Sequence, residues 1–241
     1  MGNETTWHDA LRRCAGTRAR RWLIAGTLLL GVAAAAASGA GDGAQDRTFA
    51  ALSDPVQSLM SALLPLLGIL LVRDVRREPA GAPLGPTLLA AVLVAAAVGL
   101  FGAAACAVAV AGPHPWRHAA PAVVGGLLVQ VIAQLVGTGL GLLLRPVPVA
   151  FVATFLPLVL WLALGAAGGL REWLTPYATA RHLLSGDLDA QAWLRVLTVV
   201  LLWPAALNVA GVLSRRATDR RAADRRAAVD RRAADRPSAG S

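Results

Sequence analysis

The sequence predicts an all-α, polytopic membrane protein with six transmembrane helices and both termini in the cytoplasm. Of its 241 residues, 56% are hydrophobic and only 15% charged, and mean hydropathy is +0.57. That composition fits a multi-spanning chain and no ordinary soluble domain of this length. The stretch from Pro121 to Gly169 holds a single charge, Arg145, in 49 residues. A helix of ~20 residues crosses the hydrocarbon of a bilayer, so two spans fit there with almost nothing between them. Pro146 and Pro148 directly follow the charge, where a chain that has crossed once must turn. The third observation is the placement of the basic residues, all arginine, which lie almost entirely outside the apolar runs.

The chain opens with a basic arm, residues 1–21, in which Arg12, Arg13, Arg18, Arg20 and Arg21 face Glu4 and Asp9. Trp7 and Leu11 suit a short interfacial helix whose arginines lie near lipid phosphates. The transmembrane domain covers 22–214, with spans at about 22–40, 56–72, 87–111, 120–144, 148–168 and 196–214. The first and third are rich in Gly and Ala, which lets helices approach closely. The fourth carries Gln130, Gln134 and Thr138 at intervals of four, one polar stripe on one face. An inner loop occupies 73–86. An outer amphipathic region, 169–195, is broken by Pro176 and turns at Ser185-Gly186, and Asp187 to Trp193 cap and begin the last helix. There, short elements lying on the outer surface would set Trp173, Tyr177 and Trp193 in an aromatic belt.

Orientation follows from arginine. With the N-terminus inside, the inner segments carry 18 arginines and the outer segments 5, a ratio of 9 to 5 without the terminal repeat. The first outer loop is acidic, with Asp42, Asp46 and Asp54. After Leu213 the sequence becomes a low-complexity tail, 215–241, repeating Arg-Arg-Ala-Ala-Asp with nine arginines against four aspartates. Its period of five keeps no heptad seam and no apolar face, so the tail is expected to be dispensable for insertion. A formal charge of +9 would ordinarily suggest nucleic acid. No aromatic residues interleave the arginines, so nucleic acid is set aside in favour of anionic lipid.

Catalytic signatures are missing. Without lysine there is no Walker-type phosphate loop, and no His pair, His-Cys cluster or carboxylate pair shares a cavity. His114 and His118 flank Trp116 in a short outer loop, where interface anchoring outweighs metal binding. Cys14 and Cys106, one in the arm and one in mid-membrane, read as small apolar residues. No catalytic, cofactor or metal-ligating residue is therefore assigned. Gln130, Gln134 and Thr138 are candidates either for interhelical hydrogen bonding, with Gly137 and Gly141 as a close-packing pair, or for the wall of a translocation path.

Three segments in order carry a resemblance. GILLVRDVRREPAG leaves the second span, GTGLGLLLRPVPVA runs from Gly137 to Ala150, and LTPYATARHLLSGD leads to the closing helix and its pair of arginines. Together, over roughly residues 15–216, they resemble the six-helix permease subunits of ATP-binding-cassette exporters of the second bacterial type. Asp74 stands where that family usually has Glu, and Val75 to Pro79 replace its Tyr-Arg-xx-Thr-type continuation. The Ala, Gly and Arg content resembles that of a high-GC actinobacterium.

The resemblance implies a bacterial plasma-membrane protein that pairs with itself or a sister permease chain and with cytoplasmic ATP-binding subunits. Those subunits would bind ATP and Mg and hydrolyse the nucleotide. The docking residues it implies are Arg12, Arg13 and Arg18 in the arm and Arg73, Asp74, Arg76, Arg77 and Glu78 in the inner loop, where Pro79, Pro83 and Pro86 limit any coupling helix to little more than two turns. A second class of function, a non-transporting membrane scaffold or immunity-type protein, is compatible with the same composition. An ATPase gene beside this one would favour the permease.

Overall fold

The computed structural model describes residues 12, 14–40, 48–77, 84–111, 114–166, 169–185 and 189–234. Secondary structure among them is entirely helical. Six stretches are long and apolar enough to cross a membrane: Arg18–Ala40, Phe49–Arg76, Leu84–Ala109, Ala119–Leu143, Val147–Ala166 and Ala190–Ala228. All six expected spans are present.

The first span is α1 (Arg18–Ala40). The second is split into α2 (Phe49–Ser61) and α3 (Leu64–Arg77), and the third is α4 (Leu84–Ala109). The fourth, α5 (Ala119–Leu143), is continuous; the fifth comprises α6 (Val147–Ala153), α7 (Leu156–Ala163) and a 3-10 turn. Two shorter helices, α8 (Leu170–Leu174) and α9 (Pro176–Ser185), precede the last span. That span runs through α10 (Ala190–Val200), a π turn (Leu201–Ala205) and α11 (Ala206–Ala234).

Prolines explain where spans are interrupted. A proline removes the hydrogen bond to the carbonyl four residues earlier and its ring collides with that carbonyl. Pro65, Pro157 and Pro204 lie four residues after Ser61, Ala153 and Val200, which are the last residues of α2, α6 and α10. In the last span the chain widens into a π turn and remains helical.

Two helices begin earlier than their apolar runs suggest. The second span starts at Phe49 because the Thr48 hydroxyl accepts the Ala51 amide at 3.3 Å and the Phe49 amide reaches the Pro115 carbonyl at 2.8 Å. Asp54, expected in the outer loop, therefore lies within α2. The last span starts at Ala190, where the Asp189 carboxylate accepts the Ala192 amide at 2.6 Å. Its helix does not end with the apolar run but continues through the arginine repeat to Ala234. Alanine and arginine are strong helix formers, and pairs such as Arg215–Asp219, 3.9 Å apart, add weak support.

At the centre stands α5, packed against α2, α3, α4, α9 and α11. A Cβ at Gly137 would meet the backbone of Pro65, and one at Gly125 would meet the Leu183 carbonyl, so α3 and α9 touch this helix backbone to backbone. Segment α8–α9 differs from expectation. Instead of lying on the surface, α9 is inserted among the spans, with Thr175, Thr179, Leu183 and Leu184 buried. The Trp203 indole on the π turn donates to the Leu174 carbonyl at 2.8 Å and holds α8 at that depth.

The contacts also sort the helix ends. Arg20, at the start of α1, pairs with Asp74 near the end of α3, and Arg76 donates to the Leu142 carbonyl at the end of α5. At the other end Phe49 stacks on Trp116, ring centres 6.0 Å apart, while Arg195 joins Glu172 at 2.6 Å and lies over Trp173.

Candidate functional site: a buried amide seam beside the broken spans

The polar stripe of α5 is sealed inside the bundle, since Gln130, Gln134 and Thr138 are all 0% exposed. An amide in hydrocarbon is tolerated where another polar group answers it. The Gln130 amide donates to the side-chain oxygen of Gln57 at 2.7 Å and to its backbone carbonyl at 2.9 Å. Gln57 in turn donates to the Gly99 carbonyl of α4 at 2.9 Å. Lower on the stripe, the Thr138 hydroxyl donates to Asn208 Oδ1 at 2.9 Å. The Asn208 amide then donates to the carbonyls of Leu135 and Pro204, each at 2.7 Å. One helix face thus links the second, third, fourth and last spans.

Gln57 and Asn208 were not among the residues singled out from sequence. Asn208 is an amide inside an otherwise apolar run, whereas Gln57 stands among Ser53, Asp54, Ser58 and Ser61 and so does not stand out. Gln134 differs from its neighbours on the stripe. Neither its amide nitrogen nor its oxygen has a hydrogen-bond partner among the described residues.

That contrast sets opposite expectations for two similar substitutions. Gln130→Leu removes two bonds and strands the Gln57 oxygen, so it should lower stability by about 1 kcal/mol, rarely above ~2. Gln134→Leu removes an unanswered buried amide and should leave the unfolding temperature unchanged or raised. Thermal unfolding of both variants in detergent checks this; the idea fails if Gln134→Leu is the more damaging.

On the opposite face of α5 lies a lateral cavity of about 260 Å³ lined by Val129, Ile132, Ala133 and Val136. Its other walls are the two helix breaks, Ser58 to Pro65 of the second span and Thr154 to Leu158 of the fifth, closed by Pro176 and Ala180. The stripe and this opening therefore belong to different sides of one helix. Interrupted spans meeting at a cavity are a geometry that membrane proteins use where a solute must sit at mid-depth.

The described residues among those expected to dock a partner lie on the arm and on the end of α3. Arg12, Arg18 and Arg73 are exposed, whereas Arg76 is half-buried and turned onto α5. The Asp74 carboxylate is engaged by Arg20, an arginine of the basic arm that is not among the expected docking residues. Arg20 is 2% exposed and shares a face of α1 with Thr27, Gly31 and Ala34, a helical spacing readable in the sequence. Cys14 packs with Leu71, Ala90 and Ala91, which ties the arm to α3 and α4. Burial pushes its thiol up from the usual range, and the positive charge of Arg20 only partly offsets that. Arg77 ends α3; Arg13 and Glu78 lie outside the described residues.

Among the described residues no group of three or more His, Cys, Asp or Glu side chains could hold a metal ion. His118 adopts a left-handed conformation, φ 56°, at the head of α5, and its ring accepts from Arg117 at 3.2 Å. The whole defines an α-helical, multi-pass membrane protein, consistent in general with a transport-related role. Compared with known proteins, the chain matches no family model, no curated protein and no solved structure.

Proposed function

We propose that this chain is the membrane-spanning permease subunit of an ATP-driven exporter of the bacterial plasma membrane. In this reading a separate cytoplasmic subunit binds ATP and Mg and hydrolyses the nucleotide, and a second permease chain, identical or a sister, completes the pathway. No catalytic group is assigned to the chain itself. The observation that supports the reading is the joining of its two expected docking segments. The Arg20–Asp74 pair and the seat of Cys14 against Leu71 hold the arm beside the end of α3, and in this reading the exposed Arg12, Arg18 and Arg73 serve as one basic docking surface. An ATPase seated there would move α1 and the broken second span as a unit.

The test is purification of the tagged full chain from its host. A subunit carrying both nucleotide-binding motifs should co-elute and hydrolyse ATP, and charge reversal at the exposed Arg12 and Arg73 should release it. Absence of any such subunit from the unaltered protein sinks the proposal. Orientation has its own check: a periplasm-active reporter fused after Gly85 or Ser214 should be silent, and one within 42–54 should be active. A signal after Gly85 would reverse the assigned orientation.

A further inference from the structure

Arginines from three parts of the chain surround a cavity of about 840 Å³ at the end of the bundle where Arg20 meets Asp74. Among the described residues lining it are Arg73 and Arg76 from α3, Arg145 from the α5–α6 link, and Arg215, Asp219 and Arg226 from α11. Five guanidinium groups thus face one carboxylate, and Arg215 engages that carboxylate at 3.9 Å. Arginine does not deprotonate in proteins, so this site cannot shed its charge by titration. It is relieved by an anion, and a guanidinium fork matches the paired oxygens of a phosphate.

The cavity's position narrows the source of that phosphate. Its walls are the ends of the second and fourth spans, the start of the fifth and the helix leaving the last. That is the level of lipid headgroups for a bundle of this length. Ile69, Leu144 and Val147 also line it, so apolar surface adjoins the charge. We infer that this cavity binds the phosphate of an anionic phospholipid headgroup, clamped between the Arg145 link and the arginine repeat. The repeat then has a role, because Asp219 and Arg226 belong to it. This inference is independent of any ATPase partner.

The full chain is reconstituted in nanodiscs containing phosphatidylglycerol and an excess of phosphatidylcholine, and lipid retained after mild detergent release is measured by native mass spectrometry. The unaltered protein should retain phosphatidylglycerol selectively. Combined Arg145→Gln and Arg226→Gln should cut that retention by roughly 25-fold, about fivefold for each arginine near an anionic lipid. Both residues are exposed, so the fold should survive the change. Arg117→Gln, at the opposite end, should leave retention as it was. Equal retention by the double variant overturns the inference. A rise in unfolding temperature with inorganic pyrophosphate but none with phosphatidylglycerol also overturns it, assigning the cavity to a soluble phosphate.

Discussion

Gly137→Val is expected to leave little folded protein in the membrane fraction. A Cβ at this position would meet the oxygen, Cα and carbonyl carbon of Pro65, all backbone atoms. A flexible side chain can swing away from such a collision, but here α3 must move off α5. Overpacking of this kind costs about 1–3 kcal/mol where side chains can adjust and more where they cannot. The displaced helix also carries Gly68, whose added Cβ would meet the Gln134 carbonyl, so the damage spreads along the same contact. Gly85→Ala is the matched control, because a Cβ there meets no described atom within 4 Å. It should be neutral or stabilising by up to ~1 kcal/mol, the helix preference of alanine over glycine. Fluorescence-detected size exclusion of tagged variants reads both outcomes, and a monodisperse Gly137→Val protein at normal yield contradicts the packing described.

Removing the carboxylate at Asp74 should produce the next largest loss. Arg20 is 2% exposed, so Asp74→Asn takes an acidic partner away from a buried cation. Breaking a fully buried pair costs ~3–5 kcal/mol; with the Asp74 side chain 41% exposed, about 2–3 kcal/mol is expected. Replacing both residues by apolar ones, Arg20→Met with Asp74→Leu, should recover most of that loss, since it removes both charges from the membrane end. Unfolding midpoints of the single and double variants decide the matter. A double variant no better than Asp74→Asn would show that the two residues do not act as a pair. The experiment also bears on docking, because any loss of a bound partner in Asp74→Asn must be compared with the double variant, whose α1–α3 junction is restored.

The spans were legible because hydropathy is a sum over many residues and tolerates local error. All six runs appear as helices, and the polar interval of the fourth fell on a single buried face. Helix starts were legible where a capping residue stood out, as within Asp187 to Trp193, and missed at Thr48, whose single cap bond no average of hydropathy detects. The insertion of α9 was hidden for a different reason. A segment with Arg181 and His182 beside Leu183 and Leu184 looks interfacial in one dimension, and the close approach that Gly125 allows it lies on a helix far away in sequence. Likewise the candidate stripe was visible on α5, but its pairing with Gln57 and Asn208 was not, because a lone amide on another span has no periodicity to say which helix it meets.

The proline interruptions divide the bundle mechanically. A helix bends most easily where its ladder of backbone bonds lacks a rung. Among the described spans, α1, α4 and α5 run unbroken, while the second, fifth and last each lose a rung where a proline stands. The first group keeps its interior ladder whole; the second lacks rungs at its prolines, and in the second span Pro55 inside α2 removes another besides the break at Pro65. Pro65 and Pro157 both line the lateral cavity, so the easiest bending points of those two spans lie beside the same stretch of α5. Three unbroken helices thus stand beside three interrupted ones, and two of the interruptions open onto the same side of α5.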